Sequence, residues 1–314
     1  MNTTRILVVG SANVDLVTRV PRCPKPGESL IGQSFKTVPG GKGANQAVAA
    51  ARLGAETYFA GCVGNDHFGA MLKDQLAAAN VDVTHVKTHA SEPTGTAVIL
   101  VADSGENSIV VTPSANYGLT VEDIENLKPV FGRVDAVLVQ LEIPLEVVEA
   151  VLDMAARHKV QSILDAGPAQ KVPGSLIEKA DILSPNETEA ETMTGLPVTN
   201  IEEARIAAAA LREKGARHIV LKLGARGALH MEIDDWLHVP AFDVDAVDTV
   251  AAGDAFTAAL AVFWKSHSHS QVMRYACAAG ALATLVEGAQ PSMPARASVE
   301  AFLEEHGGIG VSRE

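Results

Sequence analysis

Short apolar runs that alternate with helical patterns constrain this chain more than any other feature. Arg5 to Gly10 (RILVVG), Tyr58 to Val63, Ala136 to Leu141, Val160 to Asp165, Ile182 to Ser184 and His218 to Leu223 read as buried parallel strands. Between them, Ala44 to Leu53, Phe68 to Ala79, Leu145 to Arg157 and Ile201 to Lys214 read as helices. Repeated alternation of this kind implies a three-layer α/β/α fold, Rossmann-like, around a doubly wound and mostly parallel sheet. Ligands of such sheets bind beyond the carboxyl ends of the strands. From Ala251 onward the pattern is helical: Ala251 to Trp264, Gln271 to Val286 and Ser298 to Glu305.

Two segments break the rhythm. Asp15 to Val38 is rich in proline, glycine and β-branched residues, and Pro93 to Thr112 has a strand–turn–strand look around Asp103-Ser104-Gly105. They read as a small β-sheet lid over residues 15–38 and 93–112, or as a pair of surface hairpins. The expectation is one domain over 1–314 carrying that lid. With 47% hydrophobic residues in 314, the chain can bury a large core. The net charge of -13 argues against nonspecific nucleic-acid or anionic-membrane binding. Cys23, Cys62 and Cys277 are scattered and odd in number, against a disulfide framework or a zinc site. Met1 to Arg5 has no apolar signal segment and no stretch approaches membrane-spanning length, so a reducing cytoplasm is expected.

The chemistry concentrates in two glycine-marked stretches. Gly40-Gly41-Lys42-Gly43-Ala44-Asn45-Gln46 runs straight into an alanine-rich helix, and Asp248-Thr249-Val250-Ala251-Ala252-Gly253-Asp254 opens another. Glycines let backbone N–H groups approach a ligand, and a helix N-terminus offers unpaired donors with positive partial charge. A carboxylate beside such an anion hole suits deprotonation of a hydroxyl that attacks a phosphate. Together they suggest a kinase of a small polyol. Each stretch also has a plainer reading: a tight turn for the first, a dipole-matched helix start for the second. Lys36 stands where a Gly-x-x-x-x-Gly-Lys-Ser/Thr loop needs glycine, and Gly43 follows Lys42, which excludes a P-loop. No Gly-x-Gly-x-x-Gly follows the first strand.

Three further sites stay open on the residues alone. Gly224-Ala225-Arg226-Gly227 is a hairpin turn or a nucleotide-contacting loop. Asn186-Glu187-Thr188-Glu189 caps a helix, or presents Asn186 to a phosphate and Glu189 to a magnesium-bound water. Gly288-Ala289-Gln290-Pro291-Ser292 reads as a helix C-cap followed by proline, or as a loop whose carbonyls bind a monovalent cation. The histidines of Ser266 to Ser270 read as a polar loop rather than as metal ligands.

The joint order of these motifs, from Val9-Gly10-Ser11-Ala12-Asn13-Val14-Asp15 to the Gly288–Ser292 loop, resembles the ribokinase family of carbohydrate kinases, the phosphofructokinase B type. The resemblance spans nearly the whole length. It implies ATP-dependent phosphorylation of D-ribose at the 5-hydroxyl, with Mg2+ and an activating K+, in a homodimer paired through the lids. It assigns Asn13, Asp15, Gly41, Lys42, Gly43, Asn45 and Glu142 to the sugar and Asp254 to the catalytic base. The amides of Ala252 and Gly253 would form the anion hole. Asn186, the Lys222-Leu223-Gly224-Ala225-Arg226-Gly227 loop, Gly253 and Cys277 would hold the nucleotide. Asp248, Val250, Ala283, Val286, Gly288 and Ser292 would hold potassium, and Glu189 magnesium indirectly. The chain departs from the family pattern at Cys277, where relatives often carry His or Asn. It departs again at Lys222, a threonine in some relatives, and at Phe256-Thr257-Ala258, more usually Phe-Asn-Gly. Alternatives are a kinase of another pentose, deoxyribose or nucleoside, or a non-catalytic sugar sensor on the same fold.

Overall fold

A computed structural model describes residues 3–233, 235–307 and 312–313. Its strands are β1 (Arg5–Val9), β2 (Asn13–Val20), β3 (Ser34–Gly40), β4 (Glu56–Gly64), β5 (Val81–His89), β6 (Gly95–Ala102) and β7 (Asn107–Thr112). They continue as β8 (Ala136–Val139), β9 (Gln161–Asp165), β10 (Ile182–Ser184), β11 (His218–Lys222), β12 (Ala228–Glu232), β13 (Asp235–Val239) and β14 (Ser312–Arg313). The large sheet is ordered β14-β13-β12-β11-β10-β9-β8-β1-β4-β5. It is parallel from β11 to β5 and antiparallel from β11 through β14. The fold is thus the expected α/β, mostly parallel sheet.

Alternation along β1 explains the layers. Ile6 and Val8 point into a core shared with the helices Lys42–Arg52, His67–Ala78, Ala252–Phe263 and His269–Ala283. Leu7 and Val9 point the other way, into a second core with Leu145–His158 and Ile201–Glu213. Every residue of β8 is buried, as a strand covered on both faces requires.

The expected strand positions hold to within a residue or two, but Gly10, Leu141 and Leu223 fall just outside, where the chain turns towards the cleft. β5 is a strand beyond those expected. Its VDVTHVKTH alternation is that of a half-exposed edge, unlike the solid apolar runs of the central strands. The helix expected to reach Val286 stops at Ala283, and Gly288 opens the short helix Ala289–Ser292 with φ 93° instead of closing the longer one. The two irregular segments pair as a four-stranded sheet, β3-β2-β6-β7, in which β2 and β6 run parallel and the outer pairs antiparallel.

Candidate active site

Strand order turns over at β1, with β4 on one side and β8 on the other, and the crevice this opens collects the ends of successive strands. Asn13 and Asp15 enter on β2, Glu142 follows β8, Asp165 ends β9, Asn186 follows β10 and Lys222 ends β11.

The glycine turn works by close backbone approach. A Cβ on Gly43 would stand 2.7 Å from the Gly10 carbonyl carbon and the Ser11 nitrogen; on Gly41, where φ is 90°, it would stand 2.6 Å from the Asn13 nitrogen. The Ala44 N–H donates to the Ser11 carbonyl at 2.9 Å. Helix Lys42–Arg52 is thereby seated on the end of β1 with Asn45 and Gln46 aimed at Asp254. Asn45 Nδ2 donates to Asp254 Oδ2 at 3.0 Å, and Gln46 Nε2 to Oδ1 at 3.1 Å. The same Gln46 amide donates to Asp165 Oδ2 at 3.0 Å, while Gln140 donates to its oxygen at 2.7 Å. Hydrogen bonds to charged groups contribute about 1.5–3 kcal/mol each, so this amide holds both aspartates firmly. Asn45 Oδ1 is a buried acceptor without a partner among the described residues.

Seven charged groups share this space: Asp15, Lys42, Glu142, Asp165, Glu189, Lys222 and Asp254. Burial raises the Asp254 pKa to about 6, against the pull of Lys42 and with a push from Asp165. Asp15 is pushed to about 7 by burial, then by Glu142 and Asp254. For Lys42, burial is outweighed by Asp254, Asp165, Glu142 and Glu189, which keep it a cation. Burial would also raise Asp165, yet Lys222 and Lys42 hold it below the usual carboxylate range.

The helix Ala252–Phe263 starts on a strained residue. Ala251 has φ 61°, a left-handed conformation that costs a non-glycine residue about 1–3 kcal/mol. Its carbonyl takes the amides of both Asp254 and Ala255 at 3.0 Å. The Ala252 amide donates to the Thr249 carbonyl at 3.3 Å. Among the described residues no backbone acceptor takes the Gly253 N–H, so of the two expected anion-hole amides Gly253 carries the free donor. Lys222 Nζ stands 3.9 Å from where a Gly253 Cβ would be and 3.0 Å from Asp165 Oδ2. A fixed ammonium thus flanks the helix N-terminus.

From this point a cavity of about 760 Å³ runs between β11 and the helices Ala252–Phe263 and His269–Ala283. Lys42, Lys222, Gly253 and Asp254 line one end; Phe242, Val244, Cys277, Gly280 and Ala281 line the rest. Burial pushes the Cys277 thiol up to about 12, making it a packing group. Gly224, Ala225 and Gly227 reach the cavity too. Leu223 and Arg226 do not: Leu223 is buried in the core, and Arg226 turns to Glu187 and the Val198 carbonyl. Asn186 and Glu189 line the cavity while closing a capping box, the Glu189 carboxylate accepting from the Asn186 N–H at 2.7 Å. Asp248 accepts from the Gly288 amide at 2.9 Å and the Val250 amide at 3.0 Å, which ties the loop before the anion hole to the loop after helix His269–Ala283. The Ser292 hydroxyl donates to Ala289, and Ala283 is buried while Val286 is half exposed.

The chain matches the pfkB family carbohydrate kinase model over residues 3–296. It belongs to the pfkB family of carbohydrate kinases. It is 40% identical over 300 residues to a ribokinase of Haemophilus influenzae, covering 95% of this chain and 98% of that protein. It is also 37% identical to a deoxyribokinase of Salmonella typhimurium over 301 residues, 95% of this chain and 97% of that protein. A solved Arabidopsis thaliana ribokinase complexed with ribose and ATP superposes with a TM-score of 0.89 at 35% identity, covering 96% of this chain and 99% of that one.

For this pfkB-family chain, the residues that reading the sequence missed are those that hold others in place. Asp165 closes the apolar run of β9, and only the fold shows that its neighbours are Lys222, Gln46 and Thr257. Thr257, one of the departures from the family pattern, donates to Asp165 at 2.9 Å. Asn116 accepts from the Ala12 amide and donates to Asn13 Oδ1 at 2.7 Å, leaving the Asn13 NH2 as what that side chain offers a ligand. Its signal in the sequence was nil. Gln46 was visible as part of the glycine motif, though its bridging role was not.

Proposed function

We propose that the protein is an ATP-dependent kinase of D-ribose that yields ribose 5-phosphate. One observation carries the reading: Asp254, held by Asn45 and Gln46, lies where the small-sheet residues Asn13 and Asp15 meet a nucleotide-sized cavity headed by Gly253 and Lys222. The Asp254 carboxylate accepts the proton of the primary hydroxyl as the hydroxyl oxygen attacks the γ-phosphorus, the bond from that phosphorus to the β–γ bridging oxygen breaks and ADP leaves. Charge on the transferring phosphoryl is met by the Gly253 N–H, the helix N-terminus and Lys222. Asp15, Asn13, Lys42, Asn45 and Glu142 hold the other hydroxyls. Mg2+, when bound with the nucleotide, neutralises its phosphates and keeps several waters. Glu189 fits as a partner of one such water, because its oxygens already serve Asn186. A monovalent cation beside Asp248 would order the strained loop before Gly253. The β2-β3-β6-β7 sheet acts as a lid that excludes water.

Likeness to both ribokinase and deoxyribokinase makes the 2-hydroxyl the deciding contact. A carboxylate that accepts from two vicinal hydroxyls rejects an analogue lacking one by about 1–3 kcal/mol, roughly five-fold at the low end. A coupled assay over a sugar panel tests this. Ribose should exceed 2-deoxyribose and hexoses in kcat/KM, and Asp15→Ala should erase most of the margin. Equal turnover of deoxyribose would move the assignment to that sugar. No turnover with any sugar would leave the non-catalytic sensor.

A further inference from the structure

A second constellation lies away from the catalytic cleft. β11 begins at His218 and ends at Lys222, so the strand places roughly 13 Å between the two ends. There the β11–β12 hairpin meets the start of helix His269–Ala283. His218 Nδ1 stands 3.2 Å from His230 Nε2 and 3.2 Å from Glu232 Oε2. Among the described residues these are the three His, Cys and carboxylate side chains whose ligand atoms gather within 4.8 Å of one another. His269 brings its Nδ1 to 3.8 Å from the same Glu232 oxygen, its ring centroid 4.7 Å from that of His230.

One proton on His218 can serve both neighbours only as a bent three-centre bond. A metal ion among His218, His230 and Glu232 satisfies these three, and His269 lies next to them as a fourth donor that closes in by side-chain rotation. Tetrahedral coordination at about 2.0–2.1 Å sets neighbouring ligand atoms roughly 3.3 Å apart, the edge that the two 3.2 Å separations reproduce. Trp264 packs edge-on against the His218 and His230 rings at 5.3 and 5.5 Å, which restrains them. Entry is provided by a cavity of about 340 Å³ lined by His230, Glu232, Asp235, Trp236, His267 and His269.

We propose that His218, His230, Glu232 and His269 form a site for a borderline transition-metal cation of the zinc class, which clamps the β11–β12 hairpin to helix His269–Ala283. Imidazole donors select zinc, copper or nickel over magnesium, so the site does not compete for the metal of the nucleotide. Metal-stripped protein without nucleotide should take up one equivalent of Co2+ per chain with the visible bands of tetrahedral coordination, and Zn2+ should displace it. Glu232→Gln and His269→Gln change partly exposed side chains and leave the fold intact, as circular dichroism would check. Each should weaken Co2+ binding by at least about ten-fold. Zn2+ should raise the thermal midpoint of the parent and not of the variants, with sugar turnover unchanged. Absence of binding, or binding of equal strength in both variants, would overturn the proposal.

Discussion

Asp254 is a buried charge in the cleft and the one the proposed chemistry needs ionised. With its pKa raised to about 6 and that of Asp15 to about 7, kcat/KM should fall about ten-fold per pH unit below this range, as a coupled cluster rather than one residue. Asp254→Asn should lower kcat by about 10²–10⁴-fold or more and leave an acid limb set by Asp15 alone. It should also stabilise the protein. A carboxyl whose pKa rises from 3.8 unfolded to about 6 folded lets the native state bind more protons, so stability falls as pH climbs through that window and the loss is complete above it. The variant's Tm at pH 8 should therefore exceed the parent's by about 2 °C or more, the Asn45 amide turning so that its unpaired Oδ1 meets the new NH2. A lower Tm would mean that the two amide donors outweigh burial. Lys222 makes a separate prediction. Lys222→Met should cut kcat by about 10²-fold, as loss of one transition-state donor does, with a smaller change in KM for ribose. Asp165→Asn beside it should restore stability without restoring rate.

At the scale of elements, the start of helix Lys42–Arg52 transmits the position of β1 to the catalytic pair. A methyl on Gly43 meets backbone, not a movable side chain, so Gly43→Ala must push the helix off the Gly10–Ser11 peptide. We expect about 1–3 kcal/mol of lost stability by denaturant titration, together with loss of turnover out of proportion to it, since Asn45 and Gln46 move with the helix. Full activity at reduced stability would show that the glycine serves packing alone. The small sheet is held to the body through Glu287, which pairs with Lys36 at 3.0 Å and Arg19 at 3.7 Å. These exposed pairs are each worth about 0–1 kcal/mol, weak enough for the proposed lid to open.

For the whole molecule, the small sheet leaves apolar surface that a lone chain does not need. Ile31 is 91% exposed, and Phe35, Ile109 and Val110 are each more than half exposed. A second copy paired lid to lid would cover them. Val110→Asp should convert a dimer to monomer in light scattering and raise KM for ribose, since a lid without its partner closes less firmly. A parent that is already monomeric would remove this reading.

Local pattern was enough for much of this. Solid apolar runs such as β8 suit central parallel strands, and glycines at 41 and 43, flanking the first residue of a helix, signal close backbone approach by themselves. Family motifs carried Asn13, Asp15, Asn45 and Asp254 to the cleft in the same way. What stayed hidden depended on neighbours distant in the chain. The edge strand β5 has no covering layer to enforce an apolar run; Gly288 proved to begin a helix because Asp248, 40 residues earlier, takes its amide. Asp165 gains its low pKa from two lysines far away in sequence, and His218 and His230 become a cluster only through the pairing of β11 with β12. Periodicity and glycine reflect constraints within a few residues, so the sequence by itself determined the layers and the glycine turns. Charge coupling and ligand geometry are sums over atoms that only chain closure brings within a few ångströms, and those the tertiary structure alone decided.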